Sequence, residues 1–109
     1  MRRFCFALDL KDDPDLIATY IDYHKNVSAT IKASITNAGI TVMDIYCTGN
    51  RLFMIMETTD DFDFDRKAAM DAENEKVQEW EALVWKFQQA LPRAKPGEKW
   101  VLMEQIFQL

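Results

Sequence analysis

The stretch TVMDIYCTGNRLFMIMET, residues 41–58, decides the fold. Its two halves, Thr41–Cys47 and Arg51–Thr58, are rich in the β-branched, aromatic and aliphatic residues that are typical of strands. The three polar residues between them, TGN, are of the kind that closes a hairpin. We therefore predict two antiparallel strands in the middle of the chain.

Upstream of the hairpin, the sequence predicts a strand and a helix. Apolar residues alternate with other residues over positions 4–10, which is the period of a strand. Asp12, Asp13 and Pro14 then supply an N-cap followed by a proline at the first helical position. Apolar or aromatic residues recur at positions 16, 17, 20, 24, 27, 31 and 35. We predict one long amphipathic helix that ends near Asn37, with Gly39 in the left-handed position beyond it.

Downstream of the hairpin, the sequence predicts two helices and a last strand. A short helix is expected at residues 63–71. A longer helix follows, with apolar residues from Val77 to Leu91 on one face, before Pro92 stops it. Residues 92–99 have the composition of a loop, and Trp100–Phe107 that of a strand.

The order of these elements predicts an α+β fold of the ferredoxin-like, split βαβ type, with helices on one face of an antiparallel sheet. At 109 residues we expect a single domain, residues 1–109. The strand at 51–58 is apolar on both faces, because Leu52 and Met54 alternate with Phe53 and Ile55. The last predicted strand shares this feature. The second apolar face predicts a homodimer in which sheet packs against sheet.

Composition excludes several partners and sites. A net charge of -5 argues against nucleic acid and anionic membranes, and leaves a neutral ligand. The longest apolar runs, such as Leu52–Met56, are too short to cross a bilayer. Two cysteines, Cys5 and Cys47, and one histidine provide no zinc-ligand spacing, and the acidic residues 60–65 lack the calcium-loop pattern. We expect no metal, and a cytoplasmic protein that folds without disulfides.

The single histidine, His24, is the first candidate for chemistry. It follows Tyr20 by four residues, so that both side chains lie on one helix face among aliphatic residues. Two interpretations stay open. The imidazole is either a core residue satisfied by a backbone carbonyl or a proton carrier, since histidine titrates near neutral pH.

Aromatic side chains with polar tips form a second set of candidates. A neutral sugar needs such groups, because its C–H faces stack on rings and its hydroxyls need directional partners. The same residues also suit a core, and periodicity does not choose between the two. The set consists of Tyr20, Tyr23, Tyr46, Trp80, Trp85 and Trp100, with Glu57, Glu104 and Gln105 near strand ends.

The segment YIDYHKN, residues 20–26, resembles the Tyr-x-x-x-His signature on the first helix of the L-rhamnose mutarotase family. Further short matches follow the family's order along nearly the whole chain. They are Arg2 and Arg3, Gly39, Asp44–Tyr46, Asn50–Phe53, Val77–Trp80 and Met103–Leu109. The resemblance implies a small sugar-binding dimer with a ferredoxin-like α+β barrel, no cofactor, and interconversion of the α and β anomers of a sugar.

The resemblance also implies roles for individual residues. The family's proton donor falls on His24, and its sugar-contacting helix tyrosine falls on Tyr20. The tandem tryptophans of the family fall on Trp80 and Glu81, and its second sugar-contacting tyrosine falls on Met43. The catalytic pair is thus retained, while the substrate-binding wall differs. We expect a 6-deoxy-L-hexose substrate, with L-rhamnose first and L-fucose second.

Two alternatives accompany this interpretation. The same fold class includes dimeric monooxygenases whose cavity holds heme or an aromatic substrate, which methionine-rich walls and a helix histidine would suit. A non-catalytic dimer that binds a small molecule is the other alternative.

Overall fold

A computed structural model describes residues 1–109 as five strands and four helices. In chain order they are β1 (Arg2–Leu10), α1 (Pro14–Tyr23), α2 (Ala29–Asn37), β2 (Ile40–Thr48), β3 (Arg51–Thr58), α3 (Phe64–Glu73), α4 (Glu75–Trp85), β4 (Gln88–Gln89) and β5 (Val101–Leu102). A short 3-10 helix, His24–Asn26, continues α1. No helix is both long and apolar enough to cross a membrane.

The five strands form one antiparallel sheet in the order β2-β3-β1-β4, with β5 also on β1. β1 and β3 pair from Arg2 opposite Thr58 to Asp9 opposite Arg51. The bidentate ion pair between Arg51 and Asp9, with Nε to Oδ1 at 2.6 Å, supports this register at one end. The predicted hairpin at residues 41–58 and the opening strand are therefore confirmed.

Burial alternates along β3 and shows which face of the sheet the helices cover. Leu52, Met54 and Met56 are buried, whereas Phe53 and Ile55 are only half-buried. Two core clusters form under the helices. The first is Leu10, Tyr20, Leu52 and Val84, and the second is Ala38, Ile40, Met56 and Phe62. The predicted ferredoxin-like α+β fold is confirmed.

The single long helix predicted before Asn37 is wrong, because the chain forms two helices there. α1 ends at Tyr23, and Val27 is extended at φ -76 and ψ 133. Ser28 then caps α2, its hydroxyl accepting a hydrogen bond from the Ile31 N–H. A serine side chain that bonds backbone N–H groups favours a helix start over a helix interior, and this competition explains the break.

The predicted ends of the later elements are also wrong. α4 ends at Trp85, and residues 88–89 leave the helix to pair with Asp9 and Leu10 of β1. Sheet pairing thus overrides the apolar helical pattern that continues to Leu91. The last strand is limited to residues 101–102, which pair with Phe6 and Ala7, and residues 103–109 form no regular element.

Gly39 makes the turn from α2 into β2, as the sequence predicts for this position. Its φ is +97, and a Cβ atom there would lie 2.8 Å from the Thr59 hydroxyl oxygen. The Gly39 carbonyl accepts a hydrogen bond from the Thr59 N–H at 2.9 Å. Moving the Gly39 turn away from Thr59 to make room for a side chain would therefore break this hydrogen bond.

We expect Gly39→Ala to lower the free energy of unfolding by about 3 kcal/mol, because both the backbone angle and the space are unsuited to a side chain. Gly49→Ala is the matched control. Gly49 also has a positive φ, +55, but a Cβ atom added there would meet nothing within 4 Å, so a loss of about 1 kcal/mol is expected. Urea denaturation measures both, and equal losses would contradict the steric argument.

Candidate active site

A cavity of about 1130 Å³ lies between the helices and the sheet. Most of its lining is apolar and comes from both core clusters, including Ile40, Met56 and Val84. The five residues singled out from the sequence as catalytic or substrate-binding all line it. They are Tyr20, His24, Met43, Trp80 and Glu81. The structure therefore brings together residues that are far apart in sequence.

His24 stands at the end of α1, half-buried in the cavity wall. Its Nδ1 lies 2.8 Å from the carbonyl oxygen of Tyr20. Because a carbonyl oxygen only accepts hydrogen bonds, Nδ1 carries the proton in the neutral ring and donates a hydrogen bond to the Tyr20 carbonyl oxygen. The other ring nitrogen, Nε2, is left without a proton and available to accept one.

Two aromatic rings hold the imidazole of His24. The Tyr20 ring lies 4.5 Å away between centroids, and the Trp80 ring lies 5.2 Å away with its plane at 65°. Tyr20 comes from α1 and Trp80 from α4, so the imidazole is clamped between two elements of the fold. Such contacts limit ring rotation and add to the constraint from the Nδ1 hydrogen bond.

The Tyr20 hydroxyl reaches the cavity from a nearly buried ring that is 3% exposed. It accepts a hydrogen bond from Nε2 of Gln88 at 3.2 Å. Burial raises the pKa of the Tyr20 phenol, and the Gln88 hydrogen bond offsets part of that rise. The phenol is therefore protonated at neutral pH, and its O–H remains available to donate to a ligand.

Sequence reasoning missed Gln88. The apolar pattern placed it inside a helix, whereas it lies in β4 and is buried. Of the residues whose place was left open, two line the cavity, Tyr46 and Trp100. The others do not, and they are Tyr23, Glu57, Trp85, Glu104 and Gln105. Trp85 is 38% exposed, with the Lys99 ammonium over its ring.

Charged side chains in the lining are balanced in sign. Three lysines and three carboxylates reach the cavity. They are Lys32, Lys67 and Lys99 with Asp44, Asp71 and Glu81. Among these six residues, only Glu81 was predicted to face a ligand. The sequence pattern does not distinguish a charged side chain that faces the cavity from one that faces solvent. No group of three or more His, Cys, Asp or Glu side chains is placed to hold a metal ion.

This arrangement combines three chemical capacities in one cavity. Nε2 of His24 is able to accept a proton, the Tyr20 hydroxyl is able to donate a hydrogen bond, and the Trp80 ring presents an apolar surface. A ligand with hydroxyl groups and apolar C–H faces matches these capacities. The balanced charge of the lining favours a ligand without net charge.

Two of the sequence matches to known proteins carry the name of a sugar mutarotase and extend over the length of the chain. A sequence profile of the L-rhamnose mutarotase family matches residues 3–109. A protein of Xanthomonas campestris pathovar campestris named L-fucose mutarotase is 46% identical over 111 aligned residues. The alignment covers 100% of this chain and 89% of the Xanthomonas protein.

Solved structures show a shared fold at low sequence identity. An L-rhamnose mutarotase from Formosa agariphila gives a TM-score of 0.73 at 19% identity, covering 100% of this chain and 99% of that one. Tetracenomycin F2 cyclase from Streptomyces glaucescens gives a TM-score of 0.62 at 15% identity, and the match covers 100% of this chain and 97% of the cyclase chain.

The two sequence matches decide the family, since the profile spans nearly the whole chain and the identity to the Xanthomonas protein extends along all of it. The chain belongs to the L-rhamnose mutarotase family.

Proposed function

We propose that this protein is a mutarotase that interconverts the α and β anomers of a 6-deoxy-L-hexose. The observation that carries the proposal is the hydrogen bond from Nδ1 of His24 to the Tyr20 carbonyl, which leaves Nε2 as a proton acceptor beside the cavity. Family membership favours this function over the monooxygenase and non-catalytic alternatives.

The reaction needs one proton carrier that serves two oxygens. Nε2 of His24 takes the proton from the anomeric hydroxyl, the bond between C1 and the ring oxygen breaks, and the imidazolium returns the proton to that ring oxygen. The open aldehyde rotates about its C1–C2 bond, and the same steps in reverse close the ring on the other face. Both oxygens are bonded to C1, so a single imidazole reaches each of them. No cofactor is required.

In this proposal Tyr20 and Trp80 support the reaction by binding the sugar. The pKa of Tyr20 is raised by burial, so its hydroxyl acts as a hydrogen-bond donor to a sugar oxygen and not as a base. Trp80 offers its ring to the C–H face of the sugar. We propose that Met43 and Glu81 complete the binding wall, Met43 as an apolar contact and Glu81 as an acceptor for a sugar hydroxyl.

The methyl group of a 6-deoxy sugar suits the apolar part of the lining, where Met43 and Met54 lie near Phe6. The Xanthomonas relative is named for L-fucose, and the family is named for L-rhamnose. We place L-fucose first, on the 46% identity of that relative, and L-rhamnose second.

We expect His24→Ala to lower the catalysed anomer exchange by about 10² to 10⁴-fold, because the proton carrier is removed. Tyr20→Phe should cost only about tenfold, since it removes one hydroxyl. Saturation-transfer NMR between the two anomers measures both rates. Thr19→Ala is the control, because its exposed hydroxyl donates to the Asp15 carbonyl within α1. Full activity in His24→Ala together with a lower melting temperature would assign His24 a packing role instead.

We expect L-fucose to exchange fastest and L-rhamnose more slowly, because their ring hydroxyls point differently and a polar contact built for one is left unpaired by the other. L-galactose is the control sugar, since it carries a hydroxyl where L-fucose has only the methyl carbon. It should exchange roughly 10- to 100-fold more slowly than L-fucose. No acceleration for any of the three sugars would contradict the mutarotase proposal.

We also propose a homodimer in which the uncovered sheet faces pack together. On this face Ala7 lies opposite Phe53, and Cys5 lies opposite Ile55. These four side chains are half-buried in the single chain, and no helix covers them. Residues beyond β5 add exposed apolar surface, with Ile106 91% exposed. Pairing with a second copy buries both surfaces.

We expect sedimentation equilibrium at micromolar concentration to give a dimer, and Ile55→Glu to give a monomer, because a carboxylate would be buried in the interface. Ile21→Glu is the matched control, since Ile21 is 43% exposed on α1 and lines no part of the cavity. A wild-type monomer whose mass does not change with concentration would contradict the dimer.

A cytoplasmic location is a further proposal. Cys5 and Cys47 are both free thiols, which is the state that reducing compartments maintain.

A further inference from the structure

Lys67 and Asp71 form an ion pair in the wall of the cavity. They lie four residues apart on α3, and Phe64 precedes them on the same face of that helix. All three side chains line the cavity. The Lys67 and Asp71 side chains are only 19% and 16% exposed, so the pair is turned inward and is mostly shielded from solvent.

Stabilisation of α3 does not explain the pair. An acid that precedes a base by four residues is the favourable order on a helix, and here the lysine comes first. Asp71 also stands in the last turn of α3, where the helix dipole disfavours a negative charge and no basic residue is present. Withdrawing both charges from water adds a desolvation cost. The pair therefore calls for another role.

The hydrogen-bonding capacity of the pair is mostly unused. The Lys67 ammonium donates only to Oδ2 of Asp71, which leaves two of its three N–H groups free. Oδ1 of Asp71 is enclosed and has no hydrogen-bond partner, although buried carboxylate oxygens are normally satisfied. A ligand hydroxyl in the cavity can accept a hydrogen bond from a free N–H group of Lys67.

The pair stands on a different wall from the proposed proton carrier. Tyr20, which holds the His24 ring, belongs to the first core cluster under α1 and α4. α3 begins at Phe64, whose ring packs on Phe62 of the second cluster at 5.0 Å. A sugar whose anomeric carbon lies at His24 would therefore direct other hydroxyls toward α3.

We propose that the Lys67–Asp71 pair is a second sugar-binding element, which holds ring hydroxyls remote from the anomeric carbon and contributes to the choice of sugar. The inference rests on the mutarotase function proposed above. Lys67 makes the direct contact and accounts for most of the binding, while Asp71 orients the ammonium. Because the pair carries no net charge, it suits a neutral polyol better than a charged sugar.

The test replaces both charged side chains with apolar ones of similar size, Lys67→Met with Asp71→Leu. Replacing a shielded ion pair in this way is often neutral for stability, whereas removing one partner leaves an unpaired charge. With L-fucose as the probe, we expect kcat/KM to fall at least about tenfold, the change being carried by KM, because the lost contacts act on substrate and transition state alike. Two of the three tryptophans, Trp80 and Trp100, line the cavity, so tryptophan fluorescence measures L-fucose binding without turnover.

Two further variants complete the design. Lys76→Met with Glu79→Met is the matched control, because both side chains of this ion pair on α4 are exposed and neither lines the cavity of the site. This control variant should leave KM and kcat unchanged. Lys67→Gln keeps a donor to Asp71 but removes the positive charge and one N–H group. Lys67→Gln should also raise KM. This single variant therefore tests the proposal even where the double variant does not fold.

The outcomes separate this inference from the proposed function. An active wild-type protein whose double variant keeps the same KM and the same L-fucose affinity would overturn the role of the pair and leave the mutarotase proposal standing. A wild-type protein that neither binds nor converts any of the three sugars would overturn both.

Discussion

Burial of one face of the β1–β3 pair is the constraint on which the rest of the structure depends. Leu8, Leu10 and Leu52 are almost completely buried on this face, and the helices have to cover them. The helices do so in two clusters, one at Leu10 and Val84 and one at Ile40 and Met56. The space between the clusters is left as the cavity. The site is thus a consequence of covering a wide sheet with helices too short to fill the whole area beneath them.

The end of α1 places the His24 imidazole in the wall of this cavity. A helix leaves its last four carbonyl groups without intrahelical partners, and Tyr20 is among the last four residues of α1. The backbone N–H of His24 bonds to the carbonyls of Asp22 and Ile21, and its ring Nδ1 bonds to that of Tyr20. If the helix continued unbroken, its backbone would satisfy the Tyr20 carbonyl. Termination at Tyr23 therefore fixes both the tautomer and the orientation of the imidazole.

These physical causes explain which parts of the fold the sequence predicts and which parts it does not. Strand alternation and turn residues are local, so β1 and the hairpin at Gly49 were predictable. The break before Ser28 and the departure of Gln88 from a helical pattern depend on capping and on sheet pairing, which a periodicity does not contain. His24 was identified from its unusual place on an apolar face. Residues that reach the cavity by tertiary placement were harder to predict, since Gln88 becomes a partner of Tyr20 only because β4 pairs with β1. Sequence patterns therefore identified the histidine of the cavity wall, while the polar groups around it emerge from packing.

The charge distribution connects this packing to the kind of ligand. The whole chain carries a net charge of -5, which opposes the approach of sugar phosphates and sugar acids. Inside the cavity, three lysines balance three carboxylates, so no net positive charge compensates for that repulsion. Hydroxyl groups of a free sugar, in contrast, find both donors and acceptors among these side chains. A neutral interior within an acidic protein thus favours free sugars over their phosphorylated forms, through desolvation and long-range repulsion acting in the same direction.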